Sequence, residues 1–154
     1  MPHPLESLAQ QITFFSRNLA HNLDFIPDDK LDWKPAPTAN SALEVVHHVL
    51  MAQGRLGAIL SGGSADDATI AEPKTRDEAK AALAESADAY AAVLRAIDPS
   101  TLGETVQMAF GAMPKAFVAG MAPADTIHHH GQIAYIQTML GDNENHFDMS
   151  LLGG

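Results

Sequence analysis

The sequence predicts an all-α fold: an antiparallel four-helix bundle in a single domain, residues 1–154. Three observations carry that reading. Apolar residues recur at three- and four-residue spacings in four long segments. Pro and Gly clusters separate those segments, and strand-like alternation is scarce. The length of 154 residues suits one ordinary domain, and no internal repeat or linker divides it.

The first helix is expected over roughly residues 5–25, where Leu5, Leu8, Ile12, Phe15, Leu19 and Ile26 mark one face. "IPDDKLDWKPAPTAN" follows, held extended by Pro27, Pro35 and Pro37, with Leu31 and Trp33 expected to pin it to the bundle. Ser41 and Glu44 form a capping-box pattern, so a second helix opens there and runs to about residue 60, before Gly62-Gly63. After the polar loop "SGGSADDATIAEPK", Thr75 and Glu78 open an alanine-rich third helix that ends before Asp98-Pro99. Residues 105–110 read as extended chain or a short turn. The last helix is expected over residues 115–140, with a kink or restart at Pro123, and the tail "GDNENHFDMSLLGG" has no evident shape.

Composition excludes several functions. Hydrophobic residues make up 46% and charged residues 18%, enough apolar material for a core. The net charge is −10 with only nine scattered Lys and Arg, which argues against nucleic acid and anionic membranes as partners. There is no cysteine, so a disulfide, a thiolate metal site and a protein thiol nucleophile are all ruled out. Neither a signal peptide nor a membrane span is evident, and a cytoplasmic location is expected.

Two places concentrate polar chemistry on otherwise apolar helices. "EVVHHVL" sets His47 and His48 among valine and leucine. "ADTIHHHGQIAYI" sets Asp125, His128, His129 and Gln132 at spacings of three, four and seven, on one broad helix face. Inward polar groups cost free energy unless they are paired or metal-bound. Imidazole and carboxylate both ligate divalent metals. One arrangement is a mononuclear site of Asp125, His129 and one histidine of the second helix, with positions left open for water or substrate. Another is a dimetal site built on Glu44-x-x-His47 and Asp125-x-x-His128. That design also needs inward carboxylates: Glu85 or Asp88 could serve on the third helix, but the first offers none between Glu6 and Asp24. Periodicity does not separate His47 from His48.

"LDWKPAPTANSALEVVHHVLMAQ", followed by "DTIHHHGQIAYIQTMLGD", resembles the DinB/YfiT-like superfamily of metal-dependent four-helix proteins, over residues 31–141. The family pattern is a Trp/Pro segment, a Ser or Thr opening a helix, and a His seven residues later. That resemblance selects His48 as ligand and His47 as its neighbour. The second motif, His-x-x-x-His followed by x-Gly-Gln, aligns with Asp125, His129, His130, Gly131 and Gln132. It implies the metal ligands His48, Asp125 and His129, with Asp125 standing where the family usually has histidine. Gln132 is then a contact to a ligand or substrate, or a cap for a buried polar neighbour. His128 is the fallback ligand, Tyr135 lies near the same face, and His130 is expected to face solvent.

The resemblance implies one divalent metal (Zn, Ni, Fe or Mn), a homodimer and a small-molecule substrate. It also implies thiol-transferase or hydrolase chemistry with a low-molecular-weight thiol. The alternative is a metal-free or degenerate ligand-binding or interaction protein, in which Asp125 pairs with a histidine.

Overall fold

A computed structural model describes residues 1–153. It contains four long helices: α1 (Glu6–Leu23), α2 (Ala42–Leu60), α3 (Arg76–Ala96) and α4 (Lys115–Met139). A two-stranded antiparallel hairpin, β1 (Thr105–Met108) and β2 (Gly111–Pro114), lies between α3 and α4. The all-α four-helix expectation matches this structure, and residues 105–110 resolve into β1 and its turn. No described helix is long and apolar enough to cross a membrane.

The helix starts follow from local chemistry. Ser41 Oγ accepts from the Glu44 amide, and Glu44 Oε2 accepts from the Ser41 amide, which closes the capping box on two otherwise unpaired donors. Lys34 adds an ion pair at 2.6 Å to the other Glu44 oxygen. Thr75 caps α3 through the Glu78 amide. Leu31 is buried and Trp33 packs beside it, so residues 24–41 are pinned to the bundle as expected, but the segment is not held extended: Asp28–Lys30 form a 3-10 turn.

The core falls into two halves. One holds Leu5, Ile12, Leu56, Leu60, Tyr90, Leu94 and Val118; the other holds Leu19, Leu23, Val46, Leu83, Ile133 and Ile136. The first half therefore gathers the start of α1, the ends of α2 and α3, and the start of α4. The helices run up, down, down, up. Each of α1 and α2 packs against both α3 and α4, so α1 sits diagonally from α2. Residues 61–75 must return along the bundle to let α3 run parallel to α2, and Ile70 on this strap reaches back to Gly54.

Between the two halves lies a polar waist. Gln53 Nε2 donates to Ser16 Oγ on α1 and to Thr126 Oγ1 on α4, each at 3.1 Å. All three residues are buried.

Two further expectations change. First, α4 continues through Pro123 without a restart. Pro123 lacks the N–H that would reach the Ala119 carbonyl one turn earlier. The Tyr90 hydroxyl from α3 donates to that carbonyl at 3.1 Å instead. Second, His130 does not face solvent. It is buried, and its Nε2 lies 2.9 Å from Asn22 Oδ1 on α1. Asn22 Nδ2 donates to Gln137 Oε1, and Gln137 Nε2 donates to the carbonyls of Asp142 and Glu144. Asn22 Oδ1 is thus an acceptor, so His130 donates, and burial lowers its pKa. This network fastens the tail to α1, with Asn18 gripping both polar groups of the Asp148 backbone and Phe147 set edge-on to Phe14.

Burial pushes the Tyr90 phenol well above its ordinary pKa. Its neutral form therefore stabilises the fold fully below the unfolded value of about 10, and this contribution is lost as pH rises beyond that. Tyr90→Phe should cost about 1–3 kcal/mol in urea unfolding at neutral pH and should flatten the alkaline loss of stability. Adding Pro123→Ala to Tyr90→Phe should recover part of that cost by restoring a backbone donor. No recovery in the double variant would refute the pairing.

Candidate metal centre

The site lies where the N-terminal half of α2 faces the middle of α4. Val45, Val46, Val49 and Leu50 are buried in the core, while His48 sits at the helix edge. On α4, Thr126 and Ile133 pack inward, and Asp125 and His129 flank them one turn apart, beside α2.

One carboxylate oxygen is shared. His129 Nε2 lies 3.2 Å from Asp125 Oδ1, and His48 Nε2 lies 3.7 Å from the same atom. The two rings are 4.4 Å apart, tilted by 57°. One ligand atom from each of the three side chains falls within 4.8 Å of the others. Among the described residues, no other group of His, Asp or Glu meets this spacing. Asp125 Oδ2 is buried and has no hydrogen-bond partner in the protein.

Gln132 determines how this set works. Its Oε1 lies 2.6 Å from His129 Nδ1. An amide oxygen only accepts, so His129 Nδ1 carries the proton. In the neutral ring the Nε2 lone pair then points at an anionic oxygen. Two acceptors at that distance require a cation between them, either a proton on Nε2 or a metal ion. Asp125 first, with Gln132 contributing, accordingly raises the His129 pKa against the opposing effect of burial.

The protein's sequence matches the pattern of the DinB superfamily over residues 11–133. The chain belongs to the DinB superfamily. Its fold is similar to that of a DinB-like protein from Bacillus subtilis, with a TM-score of 0.75 at 18% identity over 90% of this chain and 94% of that one. A DinB-like protein from Bacillus cereus ATCC 10987 gives 0.71 at 19% identity, over 92% and 95% of the two chains. At such identities the likeness to the two structures concerns the fold. No curated protein matches the chain at a significant level.

The other residues singled out in the sequence are placed as follows. His47 turns toward the strap, its Nε2 3.3 Å from the Ile70 carbonyl. His128 is exposed and sets its ring edge-on to His129 at 4.9 Å. Tyr135 is exposed and, with His128, Gln132 and Met139, lines a groove of about 530 Å³ facing residues 35–40. The dimetal arrangement does not assemble, because Glu44 is held by its cap and Lys34, and Glu85 lines a different cleft, between α2 and α3.

Sequence reasoning missed Gln53, Ser16 and Asn22. The available signal was a polar residue on the inward stripe of an amphipathic helix.

Gln132→Leu should release the His129 tautomer. At alkaline pH, where the ring is neutral, the ¹⁵N shifts of His129 should report an Nδ1–H form in the wild type and a mixture in the variant. Identical shifts in both would show that Gln132 does not orient the ring.

Proposed function

We propose that this DinB-superfamily protein binds one divalent transition metal through His48 Nε2, Asp125 Oδ1 and His129 Nε2, and serves as a metal-dependent enzyme acting on a small molecule. The supporting observation is the convergence of two imidazole nitrogens on one carboxylate oxygen, with Gln132 leaving the His129 lone pair directed into the gap. The buried, unpaired Asp125 Oδ2 fits the same reading, because a second carboxylate oxygen can also reach a cation.

Two histidines and one carboxylate form a donor set with open positions, suited to Zn, Fe, Mn or Ni. A divalent ion held there lowers the pKa of a bound water or thiol and polarises a substrate. The protein's own residues supply the setting. Asp125 brings negative charge, Gln132 fixes the His129 ring in the manner of an outer-shell partner, and the groove beside Gln132 and Tyr135 offers an apolar wall for substrate. The chain has no cysteine. A thiol used in transfer chemistry therefore enters as a low-molecular-weight co-substrate, which is the class the family resemblance implies.

One observation favours a second reading. The raised His129 pKa supports a metal-free Asp125–His129 ion pair on a binding protein. Metal analysis separates the two. Purified without a histidine tag or chelator, the wild type should carry about one transition metal per chain, and His48→Ala and Asp125→Ala should carry far less. Gln132→Leu should weaken affinity by about 10–100-fold. Metal content near zero in the wild type, unchanged after incubation with zinc, nickel, iron(II) or manganese(II), would exclude the metal reading.

A further inference from the structure

The groove beside the metal centre has a volume of about 530 Å³, the size of a small-molecule site. One side is an exposed stripe of α4, and the other is the segment 35–40 that leads into α2. Gly131 lies in the middle of that stripe. Glycine weakens a helix relative to alanine, because it leaves more conformational freedom in the unfolded chain. A positive φ or a close neighbour can require it all the same. Gly131 has neither. Its φ lies outside the left-handed region, and a Cβ built on it meets nothing within 4 Å. Gly54 differs, since a Cβ there would meet Ile70 Cδ1 at 2.8 Å. A side chain at position 131 would instead stand in the groove.

Two rings border this gap. His128 precedes Gly131 by three residues and Tyr135 follows it by four, so both flank it on one helix face. They stand about 10.5 Å apart along the axis, which leaves room for a ring between them. Both are exposed, Tyr135 at 66%. Charge narrows the ligand further. The chain has 19 Asp and Glu against nine Lys and Arg, yet none of these lines the groove among the described residues. An anionic ligand would meet no cation there and would be opposed by the net charge of −10. The polar groups available are amides. Gln132 turns its Oε1 to His129 Nδ1, and its Nε2 has no hydrogen-bond partner among the described residues. That donor belongs to a side chain lining the groove and is open to solvent.

We infer that the groove binds the uncharged, ring-bearing body of the substrate, with a flat ring over Gly131 between His128 and Tyr135 and a carbonyl-type acceptor on Gln132 Nε2. This rests on the reading of the groove as the wall that receives substrate, and it names the class received. Binding of the ring needs no metal ion.

Acetophenone and benzoate are the probes. Both carry a ring and a carbonyl-type oxygen, and only benzoate is charged at pH 8. Titrated into metal-free ¹⁵N-labelled full-length protein at that pH, acetophenone should move the Gly131 and Tyr135 amide signals saturably and bind at least fivefold more tightly than benzoate. Gly131→Ala should raise Tm by about 2–4 °C and weaken acetophenone at least fivefold. Gly120→Ala is the control, because Gly120 is as free of neighbours on the same helix but does not line the groove. It should raise Tm similarly and leave binding unchanged. Gln132→Leu should weaken acetophenone at least threefold. No saturable shift in the wild type, benzoate binding as tightly as acetophenone, a Gly131→Ala variant that loses stability or keeps its affinity, or a Gln132→Leu variant that binds as before would each overturn the inference. Acetophenone binding by a protein that takes up no metal would end the metal reading and leave the groove standing. One metal per chain with no acetophenone shift would do the reverse.

Discussion

The Gln53 amide ties three helices at one level of the bundle, through Ser16 on α1 and Thr126 on α4. Buried polar groups must be paired, so this contact admits one axial register. A one-residue slide of α4 along α2 would shift Thr126 by about 1.5 Å and break it. The placement of the candidate metal centre follows. His48 lies five residues before Gln53, and Asp125 and His129 bracket Thr126. Because α2 and α4 run in opposite directions, His48 and His129 arrive on the same side of the waist with Asp125 at its level, and the three fall within ligand distance of each other. The apolar halves on either side supply burial, but apolar contacts alone do not discriminate among registers this finely.

The aspartate at position 125 sets the electrostatics of the site. With three neutral imidazoles, nothing but ligation would draw the rings together. Asp125 instead attracts any cation, a proton included, and its Oδ1 lies 3.2 Å from His129 Nε2 and 3.7 Å from His48 Nε2. The same residue would therefore favour a bound metal ion and a competing proton alike. Gln132 bears on this competition, since its acceptor oxygen keeps the His129 proton on Nδ1 and leaves Nε2 for whichever cation arrives.

Proline and tail contacts show the same rule of satisfaction at other points. Pro123 leaves a carbonyl on α4 without its helical donor, and Tyr90 on α3 provides one across the bundle diagonal. His130, Asn22 and Gln137 form a chain in which each donor meets an acceptor, ending on backbone carbonyls of the tail. The three consecutive histidines thus divide into three environments. His128 is in solvent beside the groove, His129 is at the charged centre, and His130 is in a neutral buried network.

Much of this was legible in the sequence by itself. Helical periodicity, the Ser41 and Thr75 caps, and the Pro and Gly breaks determined four helices to within a residue or two, because those signals act within one or two turns of chain. The closeness of His48, Asp125 and His129 was suggested for the α4 pair by its spacing and for His48 by likeness to a family motif. Tertiary structure alone decided the rest. The up-down-down-up order depends on the strap lying along α2, and the fate of His130 depends on Asn22, 108 residues away in the chain. That Gln53 meets both Ser16 and Thr126 emerges only when α1, α2 and α4 are packed together. Each is a pairing between distant groups, and no local pattern records which partner a buried polar atom finds.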